Sequence, residues 1–268
     1  MAAELEFEKK PKFVLSLVDS LIMIKRSSTH IVRNMDQLLG TFFQPIMFLV
    51  LFSAVFSGAI TNLPNGVNYI SFVMAGIIVQ TVAFGSTTTA VAVTNDLQKG
   101  IVDRFRSLPM SNLAVLNGHV ISDVFRNTIS TVVMLLTGLA MGFRTHASLT
   151  DWLMIAGLLL LFTLAFSWLA AIVGVVAKSV EAVQWLSFIF IFPLTFASST
   201  FVPLEGMNKV VKAFAENQPI THIVEAVRSL MLGTPMGNHG WLAVVWSVGI
   251  LVVSLPIASL LFRKHSAK

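Results

Sequence analysis

The chain has 268 residues, of which 55% are apolar and only 12% charged, against roughly a quarter charged in an ordinary soluble domain. A chain this poor in charge cannot clothe a water-soluble surface, and with no cysteine it has neither disulfides nor thiolate metal sites. The charges are missing in blocks: residues 37–95, 127–143, 152–177, 182–204 and 229–262 contain no Asp, Glu, Lys or Arg.

At the amino terminus Glu4, Glu6 and Glu8 precede Lys9, Lys10 and Lys12, and the apolar stretch 13–24 runs straight into Lys25 and Arg26. That order is not a cleaved leader, and the stretch is too short to cross a bilayer, which takes about 20 residues. Read as a helix, Ser16, Asp19, Arg26, His30, Arg33 and Gln37 form a polar stripe, with Val14, Leu17, Val18, Leu21, Ile24, Ile31 and Met35 largely on the other side. This pattern predicts an amphipathic helix within 1–37 lying in the membrane surface. A cytosolic helix packed on another surface would look the same, but lipid is the nearest apolar partner.

The block 37–95 is long enough for two crossings, at about 39–60 and 69–93, divided by the turn cluster Thr61-Asn62-Leu63-Pro64-Asn65-Gly66. Further spans are expected at about 120–142, 152–176, 184–201 and 241–261, the last beginning after the Gly-, Pro- and Asn-rich segment 233–240. Barrel strands alternate apolar and polar residues, whereas runs such as Leu158-Leu159-Leu160-Leu161-Phe162 are continuously apolar. The expectation is an all-α integral membrane protein with six transmembrane helices, 1–268 forming one domain.

Lys and Arg accumulate on cytoplasmic loops. With the amino terminus inside, the inner segments carry Lys9, Lys10, Lys12, Lys25, Arg26, Arg33, Lys99, Arg104, Arg106, Lys178, Arg263, Lys264 and Lys268. The outer segments carry only Arg144, Lys209, Lys212 and Arg228. Both termini are therefore expected in the cytoplasm, and the net charge of +5 is an orientation signal rather than a nucleic-acid footprint.

Two loops exceed the length a helical hairpin needs, 94–119 inside and 202–240 outside, and long loops are where function is commonly placed. In the inner loop, a helix from about 96 would set Ile101, Phe105 and Leu108 on one face and Asp103 and Arg106 on another, closed by Pro109. Such a ridge suits docking into a groove on a cytosolic partner. It suits equally a solvated loop whose apolar residues touch the bilayer.

The stretch Gly100-Ile101-Val102-Asp103-Arg104-Phe105-Arg106-Ser107-Leu108-Pro109-Met110 resembles the signature of permease subunits of type-2 ATP-binding-cassette exporters, in their daunorubicin-resistance-like branch. Asn217-Gln218-Pro219-Ile220-Thr221 is similar to that branch's outer-loop motif before the last span. The order of parts agrees over essentially the whole chain. One departure is Lys99, where many family members carry an acidic residue before the loop glycine.

The resemblance implies that 96–108 is a cytoplasmic coupling helix seated in a separate ATPase subunit, with Lys99, Gly100, Ile101, Asp103, Arg104, Phe105, Arg106 and Leu108 as contacts. A second inner contact is expected around Lys178 and Glu181. It implies a bacterial plasma membrane location, two ATPase subunits, a second permease copy or homologue, and ATP with Mg on the partner. No G-x-x-x-x-G-K-[ST] phosphate cradle occurs in this chain, so no cofactor is expected on it. The outer residues Asn217, Gln218, Pro219, Glu225 and Arg228 would belong to short re-entrant helices near a gate. Glu225 and Arg228, three residues apart, are expected to pair with each other.

Asp123 and Arg126 share that spacing and would lie within about two turns of the inner surface, able to pair or snorkel. Pro193 should bend the fifth span, with Thr195, Ser198, Ser199 and Thr200 near the freed carbonyls. The expected activity is export of a hydrophobic or amphipathic compound, a drug-like natural product or lipid. A lipid-linked polymer is the alternative cargo. An ion-coupled secondary transporter needs ionisable groups at mid-membrane, which the expected span centres lack. A non-transporting immunity or assembly protein stays open. No nucleophile–base or metal-ligand pair shares a span, which speaks against an enzyme.

Overall fold

The computed structural model describes residues 35–58, 63, 66–101 and 112–265. The expected surface helix within 1–37 lies almost wholly outside these residues, as do 102–111 of the inner loop. Among the described residues the regular structure is helical: α1 (Met35–Phe56), α2 (Tyr69–Gly85), α3 (Thr87–Gln98), α4 (Asn112–Ala140), α5 (Leu149–Val176), α6 (Val180–Phe196), α7 (Lys209–Glu216), α8 (Pro219–Leu232) and α9 (His239–His265), with a 3₁₀ turn at Leu204–Gly206.

Four of these stretches are long and apolar enough to cross a membrane: 69–98, 115–140, 149–176 and 239–264. Two more are apolar but shorter, Phe42–Phe56 and Val180–Phe196. The seventeen residues of α6 reach about 26 Å, short of a full hydrocarbon core of roughly 30 Å.

Several boundaries move from their expected places. The second apolar rod continues past 93 to Gln98, through a joint at Ser86 where one helix hands over to the next. Around it the hydroxyls turn back on the backbone: Ser86 donates to the Ala83 carbonyl at 2.7 Å, Thr88 to that of Gly85 at 2.8 Å. Side chains competing for helical carbonyls loosen the ladder at that turn. The expected fifth span, α6, ends at Phe196 rather than 201, because Ser198 takes the Thr195 carbonyl at 2.6 Å and bonds Thr200 in turn. The hydroxyls expected beside Pro193 thus close the helix end. Thr195 donates to Ile191 O, and Ser199 offers its carbonyl to Arg228.

α2 is the central rod. The apolar window of 69–98 is 83% buried, against 17% for that of α9. Gly76 lets its backbone run against that of Thr200, and Gly174 lets α5 close on α3, where a Cβ would stand 2.5 Å from Ala90 O. Thr94 seals the second crossing by donating to Gly174 O at 2.7 Å. The larger apolar cluster, including Phe72, Met74, Phe162 and Ile223, fills the end of the bundle where α2 begins. A smaller one, with Leu116, Trp168 and Phe262, fills the end where Lys178 lies. Outward, Trp185, Ile189 and Phe190 on α6 and Trp241, Val252 and Val253 on α9 are all more than half exposed. An apolar coat of this extent suits hydrocarbon as solvent.

Candidate coupling surface and outer-loop cluster

At the Lys178 end, α3 stops because Gly100 takes a left-handed φ of 62°. The Lys99 N–H returns to Asn95 O and the Gly100 N–H to Leu97 O, a glycine-terminated end. A helix starting at 96 therefore does not run unbroken to 108. Residues 96–98 finish α3, and any docking helix begins at Ile101, which is already helical. Lys99 is exposed, and Gly100 and Ile101 are half-buried. Asp103, Arg104, Phe105, Arg106 and Leu108 lie outside the described residues.

The end of α3 and the α5–α6 turn meet here. Gln98 Nε2 donates to the Lys178 carbonyl at 2.8 Å, tying the end of α3 to the α5–α6 turn. Ser179 caps α6 by accepting from Ala182 N, which leaves Glu181 exposed on its first turn. Behind this surface, Leu97, Val175, Leu261 and Lys264 help to line a cleft of about 570 Å³. Asp96 is held by His119 at 2.9 Å, a pairing across 23 residues that no local pattern announces.

Asp123 and Arg126 pair with each other, but they do not lie near the end of their helix. α4 begins at Asn112, so Arg126 sits about 21 Å along it at 1.5 Å per residue. Both side chains are buried, which rules out snorkelling. Ser167 donates to Asp123, and Arg126 Nη2 donates to Gly85 O at 2.9 Å. The helix starts eight residues before the expected span because Asn112, Asn117, Gly118 and His119 interrupt the apolar residues there.

At the other end, α8 is built into the bundle, with residues from Pro219 to Met231 buried almost throughout. Its apolar stripe of Ile223, Val227, Leu230 and Met231 faces the core. The stripe on α7 does the reverse: Val210, Val211 and Phe214 are exposed. Asn217-Gln218-Pro219 is the joint between these two helices. Asn217 Nδ2 donates to Ala213 O at 2.8 Å, and Gln218 caps α8 by accepting from Ile220 N while donating to Leu194 O at 2.8 Å. Pro219 opens α8, where its missing N–H costs nothing.

Arg228 is the clamp of this end. Its Nε donates to Phe72 O at 3.0 Å and its Nη2 to Ser199 O at 2.6 Å, while Nη1 bonds Glu225. The guanidinium carbon lies 3.8 Å from the centroid of the Phe72 ring. One side chain thus joins α8, α2 and the turn after α6, using the planar fork that lysine lacks. The expected Glu225–Arg228 pair is present, but most of Arg228's bonding is to backbone 29 and 156 residues away. Sequence reading had no signal for those partners.

A sequence model described as ABC-2 type transporter matches residues 19–232. The chain is 32% identical over 231 residues to a daunorubicin resistance ABC transporter permease protein of Streptomyces coeruleorubidus, covering 86% of this chain and 81% of that one. A probable doxorubicin resistance ABC transporter permease protein of Mycobacterium tuberculosis is 26% identical over 254 residues, 91% of this chain and 88% of its own. Nodulation protein J of Rhizobium meliloti is 23% identical over 209 residues, with 76% and 77% covered.

Proposed function

Because the chain belongs to the ABC-2 type transporter family, we propose that it is the membrane-spanning subunit of an ATP-driven exporter that moves a hydrophobic or amphipathic compound out of the cell. The observation that carries this reading is the extent of the family match, which runs from residue 19 through α8. It includes both the inner stretch 101–108 and the joint at Asn217–Pro219. The similarity to permeases named for daunorubicin and doxorubicin resistance favours a small drug-like cargo over a lipid-linked polymer.

In this reading all six apolar helices cross a bacterial inner membrane, with α2 and α3 forming one crossing and α1 and α6 the two short ones. Both termini and the Lys178 end face the cytoplasm, as the bias of Lys and Arg requires. ATP and Mg bind two partner ATPase subunits, and a second permease completes the path. Lys99, Gly100, Ile101, Asp103, Arg104, Phe105, Arg106 and Leu108 dock on the ATPase, with Lys178 and Glu181 beside them. The bond from Gln98 to the Lys178 carbonyl supports treating these as one surface. Thrust on the docking stretch would then reach α3 and α5 together. The buried carboxylate of Asp123 is taken up by Arg126 and Ser167, which speaks against its carrying a coupled proton. The joint at Asn217-Gln218-Pro219 and the Glu225–Arg228 clamp hold the outer end, where a gate would stand.

The test is reconstitution with the cognate ATPase. Hydrolysis and vesicle transport are expected from the complex and not from this chain alone. Phe105→Ala should weaken co-purification of the ATPase more than Arg106→Ala, since a buried anchor is worth about 2 kcal/mol or more and a rim charge less. Full association and transport by both variants would reduce this loop to a connector.

A further inference from the structure

Two histidines meet where α9 begins. His222 lies in the first turn of α8 and His239 opens α9, and their Nδ1 atoms stand 3.1 Å apart. His222 is buried and His239 half-buried, so water reaches the pair from the His239 side. From His222 to the end of α8 at Leu232 is a path of about 15 Å at 1.5 Å per residue. The connection 233–238 has to retrace it, and six residues reach only about 20 Å fully extended. Gly233 with φ 68° and Gly237 with φ 54° make the left-handed turns of this return. The bond between the two rings ties the start of α9 back onto the start of α8.

That bond tolerates one added proton and refuses a second. In the neutral pair one Nδ1–H donates to the other ring's Nδ1, and a single imidazolium still donates to its neutral partner. With two protons added, both Nδ1 atoms carry hydrogen and neither accepts, while two like charges meet beside a buried ring. Burial, and after it the neighbouring His239, hold the His222 imidazole below its usual value. The carboxylates on the elements packed against α8 are taken up elsewhere. Glu225, on α8 itself, pairs with Arg228, Asp151 of α5 accepts from Ser148, and Glu216 of α7 pairs with Lys212. Lys209 of α7 is exposed, Tyr69 of α2 donates to Phe201 O, and α9 carries no charge before Arg263.

We propose that His222 and His239 form an acid-released latch: in neutral medium their bond pins the start of α9 on α8, and in acid the second proton parts them and frees the connection 233–238. A histidine held below its ordinary value of about 6.5 binds fewer protons in the closed form than in the opened one. Closure is therefore fully stable above that value and weakens as pH falls below it. Each refused proton raises the opening equilibrium by up to about tenfold per pH unit. Pro219 lies within a turn of His222, which sets the latch beside the joint at Asn217–Pro219. The latch faces the outer medium in the orientation proposed above, but its chemistry does not depend on that reading.

The test is hydrogen exchange of the full chain in nanodiscs of phosphatidylethanolamine and phosphatidylglycerol, with labelling times scaled for the intrinsic effect of pH. Between about pH 7.5 and about pH 5, peptides covering 233–242 should lose protection by about tenfold per unit below about 6.5, while peptides from the middle of α5 keep theirs. His222→Gln and His239→Gln each keep a hydrogen-bonding side chain and leave one titratable ring, so both should stay closed with a flat profile. His146→Gln removes a histidine that packs near Gly233 outside the pair and should keep the wild-type profile. A flat wild-type profile would overturn the latch. So would an acid loss unchanged in both glutamine variants, or one abolished by His146→Gln. If both glutamine variants are already loose at neutral pH, the wild type and His146→Gln still decide. Both faces of a nanodisc meet the buffer, so an inverted topology or a failed transport assay leaves the latch standing, and a flat profile leaves the exporter reading standing.

Discussion

Replacing Arg126 by Met tests whether the pair midway along α4 is a structural latch. Arg126 Nη2 donates to Gly85 O and the same group pairs with Asp123, which is 1% exposed. Methionine keeps much of the stem's volume and removes the charge, leaving Asp123 buried with only Ser167 and a long contact of 3.5 Å from Thr88. Breaking one side of a buried pair costs about 3–5 kcal/mol, because the other charge is left uncompensated. At about 1.4 kcal/mol per factor of ten, that is a shift of roughly two to three and a half orders of magnitude in the ratio of folded to unfolded chain. The double variant Asp123→Leu/Arg126→Met removes both charges and should recover most of the loss, since apolar replacement of a whole buried pair is often neutral. The assay is equilibrium unfolding in mixed micelles, read by far-ultraviolet circular dichroism for Arg126→Met, Asp123→Leu, the double variant and the wild type. A single variant as stable as wild type, or a double variant worse than the single losses added together, would refute the latch.

Gly174→Val should cost about 1–3 kcal/mol by forcing α5 off the Ala90 backbone, whereas Gly157→Ala, whose Cβ meets nothing within 4 Å, should melt like wild type. Arg228→Lys retains charge but cannot reach Phe72 O, Ser199 O and Glu225 together, so a loss of about 2 kcal/mol and faster proteolysis at the α7–α8 joint are expected. For orientation, Ser107→Cys should react with an impermeant maleimide only after the inner face is opened, and Ser148→Cys in intact cells. The chain has no cysteine to give background, and the reverse pattern would invert the topology.

Much of the helix content was legible because apolar runs report burial in any apolar medium, lipid or protein. What such runs do not report is where a polar helix end stops. Polar residues interrupt the apolar ones in 112–119, so α4 was drawn eight residues short and Asp123 and Arg126 were set nearer the end of their helix than they lie. Gly100 shows the converse. A helical reading from 96 carries Ile101, Phe105 and Leu108 through residue 100, yet a left-handed backbone there ends α3. The periodicity of side chains says nothing of φ at the glycine between them.

The outer cluster divides in the same way. The i, i+3 spacing alone pairs Glu225 with Arg228, because a helix brings those positions together whatever surrounds it. That Arg228 also clamps Phe72 and Ser199 depends on α8 lying across α2, a long-range fact with no local trace. Both outer-loop helices carry an apolar stripe, and only packing decides that Ile223, Val227 and Leu230 go inward while Val210 and Phe214 stay out. Asn127 is the sharpest case. In the chain it is one polar residue near the start of a charge-free block. The structure seats it against Gly85 of α2 with neither amide atom hydrogen-bonded, and hydrogen-bond satisfaction is a property of neighbours in space rather than in sequence.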